Sequence, residues 1–374
     1  MLSWRRPQLS VNLQDRDIRL DLFRGLANWA IFLDHIPNNV VAWITTKNYG
    51  FSDAADLFVF ISGYTAALAY SGVMSRDGFW AGAIQLMGRV WQLYVAHILL
   101  FVVYIAAIGW VAQTYRDSHL LDEFNVAGLM ADPASYLAQG LLLKFKPLNM
   151  DVLPLYIVLM ASFPIILRAS LSFPTTTLIT SFVIYLAARH LGWNLPAWPM
   201  GAWYFNPFAW QFLFVFGAWC AIGGVHSLQR LSSSVVVLVI AGSYLLFAFL
   251  VIVLAHLDVA SGVLPSWLAD WATANDKTDL APYRFLHFVA LAVVVTSFVS
   301  RDHSWLRSTI LKPAILCGRH SLEVFCVGIF LSFIAHFALE LISESVPMQI
   351  LVSVSGIAVM TTVAWIKSLR VREK

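Results

Sequence analysis

The chain has 374 residues, of which 59% are hydrophobic and only 12% carry a charge, and its mean hydropathy is +0.73. Soluble domains carry about 25% charged residues, so this chain has too few polar side chains to cover a water-facing surface of its size. The composition excludes a soluble globular protein and predicts an all-α, polytopic membrane protein. The net charge of +3 points to no class of partner, and we expect no nucleic acid.

The first residues do not resemble a signal peptide. Residues 1–19 are polar and arginine-rich, and the next segment carries charges instead of an apolar run with a small-residue cleavage site. We expect 1–19 to be a cytoplasmic segment. The three cysteines, Cys220, Cys317 and Cys326, are too few for a disulfide framework and lack the spacing of metal ligands, so we expect no metal.

Ten apolar segments follow, and most are near the ~20 residues that a helix needs to cross the hydrocarbon. They cover about 20–41, 54–74, 90–112, 152–170, 174–190, 207–225, 233–256, 285–300, 320–342 and 348–366. The sequence lacks the alternation of barrel strands, and a helix is the other structure that satisfies its own backbone in lipid. We therefore predict one membrane-embedded domain over 1–374, with a ten-helix bundle at 20–366 and a basic tail at 367–374.

Ten spans place both termini on one side of the membrane. On these boundaries, sixteen of the 24 lysines and arginines fall on the side of the termini, seven fall on the other side, and Arg24 lies within the first span. The positive-inside rule then predicts that both termini are cytoplasmic.

Three connections on the predicted outer side are long: 113–151, 191–206 and 257–284. They are rich in Trp, Asn, Pro and Asp, and binding sites tend to be built from such connections. Within the first of them, "SYLAQGLLLKF" (135–145) is typical of a short helix lying on the membrane surface.

The first span, which contains "FRGLANWAIFLDH" (23–35), carries unexpected charges. Arg24 and His35 are eleven residues apart, so they share one helical face and are separated by ~16 Å along the axis. Asp34 points about 100° away from His35. Each residue alone could be a polar group at the end of a span, but ionisable side chains inside a membrane are candidates for function.

The second span begins with two acidic residues, Asp53 and Asp56, on one helical face. A helix cap explains Asp53 without invoking chemistry, but explains Asp56 less well. Because the first two spans are antiparallel neighbours, His35 and Asp56 are expected at a similar depth. A carboxylate that orients one imidazole nitrogen leaves the other to act as a base, so we predict a catalytic pair of His35 and Asp56, with Asp34 as the competing partner.

Other polar residues cluster at the predicted ends of spans. Trp beside Asn, Gln, Asp and Arg is typical of a sugar site as well as of an interfacial aromatic belt. The outer candidates are Asn149, Asp151, Asn206, Trp210, Gln211, Arg284 and His287. On the inner side "GRHSLEVF" (318–325) places Arg319, His320 and Ser321 at a helix start, where they could bind phosphate or simply cap the helix.

The segments "RLDLFRGLANWAIFLDHIPNN" and "GFSDAADLFVFISGYTAALAY" together resemble the OpgC family, whose members succinylate osmoregulated periplasmic glucans. That family is similar to the membrane acyltransferase superfamily that includes the type 3 proteins, which share the spacing of Arg24 and His35. "NMDVLPLY", "NPFAWQ" and "GRHSLEVF" also fall where the OpgC family has its blocks. The resemblance covers most of the chain.

The resemblance implies a multi-pass enzyme of the bacterial inner membrane that transfers an acyl group from cytoplasmic succinyl-CoA to a periplasmic glucan. It implies no permanently bound cofactor, because succinyl-CoA is a cosubstrate. His35 would be the base, with Asp56, Asp34 and Asp53 beside it, and Arg24 would hold the donor. Acetyl transfer to another polysaccharide, a covalent intermediate, a homodimer and a proton-coupled sugar or anion transporter stay open alternatives.

Overall fold

The computed structural model describes residues 17–115, 119–224, 234–256, 276–300 and 303–372. The predicted N-terminal segment up to residue 16, the connection 225–233, most of the loop 257–284 and the last two residues of the tail lie outside this part. In order, the α-helices are α1 (Ile18–Asp34), α2 (Ala54–Arg76), α3 (Phe79–Tyr115), α4 (His119–Glu123), α5 (Ala127–Ala131), α6 (Pro133–Leu141), α7 (Val152–Ser172), α8 (Pro174–Leu191), α9 (Pro207–Trp219), α10 (Val235–His256), α11 (Pro282–Phe298), α12 (Lys312–Arg319), α13 (Ser321–Leu341) and α14 (Val346–Arg372).

The predicted class, an all-helical membrane protein, is confirmed. In the described residues the only bridge between extended segments is an isolated one, Pro196 to Ala202. Within the described ranges, seven helices are long and apolar enough to cross a membrane by length and composition. Ten of the helices coincide with the ten apolar segments, but α1 and α8 are not among those seven and α11 is a shorter apolar helix. The count of ten spans and the cytoplasmic termini therefore stay predictions.

Several boundaries differ from the prediction. α14 continues to Arg372, six residues past the expected end of the last span, so most of the predicted basic tail is helical. α1 ends at Asp34, seven residues before the expected limit of the first span, and the 3-10 helices Val40–Ile44 and Thr46–Asn48 follow it. α3 begins at Phe79, eleven residues before the expected start. The predicted surface helix at 135–145 corresponds to α6.

Local sequence explains where several helices begin. Proline stands in the first turn of α6, α8, α9, α11 and α12, where its missing N–H costs no hydrogen bond. Asp17, Asp53 and Asn206 cap α1, α2 and α9 by accepting from a backbone N–H two residues later.

Glycines permit two close helix crossings. A Cβ on Gly63 of α2 would meet the carbonyl oxygen of Phe214 in α9, and a Cβ on Gly217 of α9 would meet that of Phe60 in α2. The same reciprocal arrangement joins α1 to α12 through Gly25 and Gly318. Membrane helices associate through such small residues, because burial of apolar surface gives little driving force between helices in lipid.

The crossing of α2 and α9 yields a stability prediction. We expect Gly217→Ala to lower the free energy of unfolding by about 1–3 kcal/mol, because the methyl group would collide with the backbone of α2. Gly242→Ala in α10 is the control, since a Cβ there meets nothing within 4 Å. Thermal unfolding of both variants in detergent measures the difference. Equal melting temperatures would contradict the close packing.

Candidate active site

A buried ion network occupies the end of the bundle where α2 and α11 begin. Arg284 is fully buried and donates to both oxygens of Asp56, at 3.0 and 2.6 Å. Its guanidinium also lies 2.8 Å from Oδ2 of Asp53, which accepts from Nζ of Lys277 at 2.7 Å. The two cations balance the two carboxylates, so no net charge is buried. The low dielectric of the interior strengthens the attraction between them. The end of the bundle that holds these four residues is called the Asp53 end below.

The same two carboxylates start α2. The side chain of Asp53 accepts from the backbone N–H of Ala55, and Asp56 accepts from that of Asp53 at 2.9 Å, so the two form a capping box. Burial alone would raise the pKa of Asp53, but Arg284 and Lys277 hold it well below its usual range. Both acidic residues of the second span are thus committed to capping and ion pairing.

His35 is oriented by the backbone, and the predicted pairing with Asp56 is wrong. Nδ1 of His35 lies 2.7 Å from the carbonyl oxygen of Ile31, one turn earlier in α1. Among the described residues, Asp56 bonds instead to Arg284 and to the start of α2, and Asp34 accepts from the hydroxyl of Thr45 at 2.7 Å. Because a carbonyl can only accept, Nδ1 must carry the proton, which leaves the lone pair on Nε2.

Lys277 lies within electrostatic range of charged and polar residues at the ends of several helices. Its ammonium interacts with Asp34 and His35 at the end of α1, as well as with Asp151 before α7. Lys47 acts on the same two residues of α1. The structure therefore places the predicted catalytic residues in one region, although their bonding differs from the prediction.

A cavity of about 300 Å³ opens beside the end of α1. Its lining contains one carboxylate, one ammonium, three amides and an indole, together with two apolar side chains. The lining residues are Asp34, Ile36, Asn38, Asn39, Ala42, Trp43, Lys47 and Asn48. A ring face beside convergent amides suits a polyhydroxylated ligand.

Three predicted sugar contacts of α9 are instead bonded within the protein. Asn206 donates to the carbonyl of Trp193 and to Asp279, both at 2.6 Å, and it caps α9. Gln211 exchanges hydrogen bonds with Ser181 of α8. The indole of Trp210 donates to the carbonyl of Lys277 at 2.8 Å. These bonds connect α8, α9 and the segment before α11, and a glucan would have to break them to bind there.

Lys146 and Asp151 form a second charged pair at the Asp53 end. Nζ of Lys146 lies 4.0 Å from Asp151 and 3.8 Å from the ring centre of Trp203. Burial raises the pKa of Asp151 to about 6 and lowers that of Lys146 to about 8, while each charge partly offsets the shift of the other. Asn149 lies between the two residues in the chain, with φ at 68°, the left-handed conformation that asparagine tolerates.

His287 is hydrogen-bonded to Ser52, a residue that sequence reasoning did not select. Its Nδ1 accepts from the backbone N–H of Ser52 at 3.3 Å and lies 2.7 Å from the hydroxyl of the same residue. The backbone N–H can only donate, so Nδ1 of His287 carries no proton and accepts from the hydroxyl as well. Both residues are buried, Ser52 with 2% of its surface exposed.

The predicted donor residues lie toward the opposite end of α1. Arg24 is half-buried one turn before Asn28, whose amide donates to the hydroxyl of Ser321 at 3.1 Å. The exposed guanidinium of Arg319 lies 3.4 Å from Asp21. His320 joins α12 to α13 with φ at −111° and ψ at 39°, outside the helical range.

Sequence reasoning missed Asn28, Ser52 and Lys277. Asn28 carried a usable signal, because it follows Arg24 by four residues and so lies on the same helical face. No sequence signal identified Lys277, because it stands in a long polar loop and its partner Asp53 is 224 residues away.

These features define an all-helical membrane protein with ionisable side chains buried at one end of its bundle. The family model described as "OpgC protein" matches residues 16–372, nearly the whole chain. The chain therefore belongs to the OpgC family, as its sequence predicted. Membership suggests a function of the glucan succinyltransferase type and implies acyltransferase-like activity. No curated protein and no solved structure matches the chain.

The ion network makes a measurable prediction. We expect Arg284→Met to lower the free energy of unfolding by about 3–5 kcal/mol, because two buried carboxylates lose a partner. The double variant Arg284→Met/Asp56→Leu should recover part of that loss, because Asp53 keeps Lys277. Chemical denaturation in detergent of Arg284→Met, of Asp56→Leu and of the double variant gives the coupling free energy.

Arg189→Met is the control for this cycle. Arg189 pairs with Asp276 at 3.0 Å near the same end, but both side chains are partly exposed, so its loss should cost under about 1 kcal/mol. A similar loss in both arginine variants would contradict the central role of the buried network.

Proposed function

We propose that this protein transfers a succinyl group from cytoplasmic succinyl-CoA across the bacterial inner membrane to a hydroxyl of a periplasmic glucan. The observation that carries the proposal is the bond from His35 to the Ile31 carbonyl, which leaves an unprotonated Nε2 near a polar cavity. Family membership supports the class of reaction. The lipid bilayer is the environment of the enzyme, and no permanent cofactor takes part.

The cavity at the end of α1 is the proposed acceptor site. Trp43 supplies a ring face for a glucose unit, and the amide of Asn38 and the amide oxygen of Asn48 supply hydrogen-bonding groups for its hydroxyls. The amide of Asn39 is bonded to Val41 and Ser353 and shapes the cavity wall. Of the residues that the sequence favoured for sugar binding, Asp151 and Asn149 lie at the same end, while Arg284 and Trp210 act through the internal bonds described above.

The donor is proposed to enter from the other end of α1. Arg319 is exposed there and suits a CoA phosphate, and Arg24 lies deeper on the face that leads to His35. The ~16 Å between Arg24 and His35 along the axis is a distance that an extended pantetheine arm with its acyl group can span. Lys47, which is within electrostatic range of His35, favours an acyl group that ends in a carboxylate.

The chemistry is proposed as direct transfer. Nε2 of His35 takes the proton of a glucan hydroxyl, and that oxygen attacks the thioester carbonyl. The tetrahedral intermediate collapses with cleavage of the carbon–sulfur bond, and the departing thiolate takes the proton back from His35. The products are a succinyl ester of the glucan and free CoA. Direct transfer is favoured over an acyl-serine because Ser52, which has a histidine partner, is buried.

His35→Gln tests the base. We expect a loss of at least about 100-fold in the rate of transfer, because general-base catalysis typically contributes 10²–10⁴-fold. The measurement follows isotope-labelled succinyl-CoA into glucan by mass spectrometry with purified protein. His190→Gln, an exposed histidine in the last turn of α8, is the matched control and should keep full activity.

Three results of this assay would change the proposal. Full activity of a folded His35→Gln protein would remove His35 from the mechanism. Label that comes only from acetyl-CoA, run in parallel, would keep the class and overturn the succinyl donor. Transfer from neither donor by folded wild type would favour the transporter alternative, since buried charges also form proton-coupled transport sites.

Ser52→Ala separates direct from two-step transfer. Direct transfer predicts that this variant keeps its activity within about tenfold, since the serine anchors His287 without contacting substrate. It also predicts no labelled serine when wild type is incubated with labelled succinyl-CoA without glucan. A labelled peptide containing Ser52, together with an inactive but folded Ser52→Ala protein, would establish a covalent route.

A further inference from the structure

A histidine and two glutamates converge on one point far from the ion network. Nε2 of His336 in α13 lies 3.2 Å from Oε1 of Glu123 in α4 and 3.3 Å from Oε2 of Glu340, one turn further along α13. The three ligand atoms all lie within 4.8 Å of one another. We propose that Glu123, His336 and Glu340 bind one divalent transition-metal cation, with Zn²⁺ as the best fit.

The two distances from Nε2 of His336 match the spacing of neighbouring ligands on one metal ion. Bonds of about 2.0–2.1 Å at tetrahedral angles place neighbouring zinc ligands roughly 3.3–3.4 Å apart. A charge-assisted hydrogen bond from imidazole to carboxylate is shorter, about 2.7–2.9 Å. Moreover, Nε2 carries at most one proton and can donate to only one of the two carboxylates. A cation between the three atoms satisfies all of them at once.

The charge of the cluster also favours a bound cation. In the described part of the chain, neither glutamate pairs with a lysine or an arginine. The two carboxylate oxygens lie within 4.8 Å of each other with no described lysine or arginine between them, so their negative charges repel. A bound divalent cation removes this repulsion, and one imidazole with two carboxylates is a ligand set that zinc accepts.

The surroundings make the site both rigid and accessible. Only 9% of the His336 side chain is exposed, and its ring lies 5.1 Å from that of Phe124 and 5.7 Å from that of Phe337. The glutamates are 30% and 36% exposed, so a cation can enter from solvent and keep a water ligand. The metal would join α4, in a long connection, to the end of α13. It would therefore have a structural role, independent of acyl transfer.

Metal titration of the full-length protein, without a histidine tag and stripped with chelator in detergent, tests the proposal. We expect one Zn²⁺ per chain by calorimetry and by elemental analysis, and a rise in melting temperature that EDTA reverses. Glu123→Gln/Glu340→Gln should bind Zn²⁺ at least about 100-fold more weakly, because even the loss of an outer-shell partner costs about 10- to 100-fold.

The matched control is Asp122→Asn/Glu344→Gln, which removes the same charge from neighbouring acidic residues outside the cluster. It should bind Zn²⁺ as wild type does. Equal binding by both double variants, or no saturable binding by wild type, would overturn the proposal. In the second case hydrogen bonding between His336 and the carboxylates would explain the cluster. If the first variant fails to fold, the effect of Zn²⁺ and EDTA on the wild-type melting temperature still decides.

Discussion

Arg284 is the side chain on which the geometry of the Asp53 end depends. A guanidinium with no exposed surface cannot be left unpaired, because transfer of a charge out of water costs several kcal/mol even after relaxation. Asp53 and Asp56 supply the opposite charge from the first turn of α2, and Lys277 balances the second carboxylate. Since the same carboxylates cap α2, its starting point and its position against α11 are fixed together. The Lys277 carbonyl extends the arrangement to Trp210 of α9.

Polar bonding at one end is complemented by backbone contact within the bundle. α2 meets α9 through Gly63 and Gly217, so the helix that carries the two aspartates has little freedom to shift along its neighbour. Interior packing of this kind transmits position over several turns. His35 then needs no carboxylate to orient it, because a carbonyl of its own helix does so and α1 is held by its neighbours. Nε2 of His35, the proposed base, is thus positioned by main-chain structure.

Hydropathy was enough to predict the helices, because a segment in lipid has few structures that satisfy its backbone. Helical periodicity was enough to group Arg24 with His35. Pairing was harder to predict. The partner of Asp56 is 228 residues away at the start of a short apolar helix, and nothing local distinguishes Arg284 from an interfacial anchor. Asn206, Gln211 and Trp210 looked like sugar ligands because residues that cap and join helices have the same chemistry as residues that bind hydroxyls. The cluster of Glu123 with His336 exists only in the folded chain.

The contact of Gly25 and Gly318 bears on how a substrate could cross this protein. Transport by alternating access requires one group of helices to rock against another around a fixed site. α1, which carries both Arg24 and His35, packs backbone to backbone against α12 at Gly25 and Gly318. At these two glycines no side chain separates the helices. A helix held in this way resists tilting. In the proposed reaction, movement across the bilayer would then fall to the flexible acyl chain, which would pass alongside a fixed helix and so need a narrow passage instead of a moving gate.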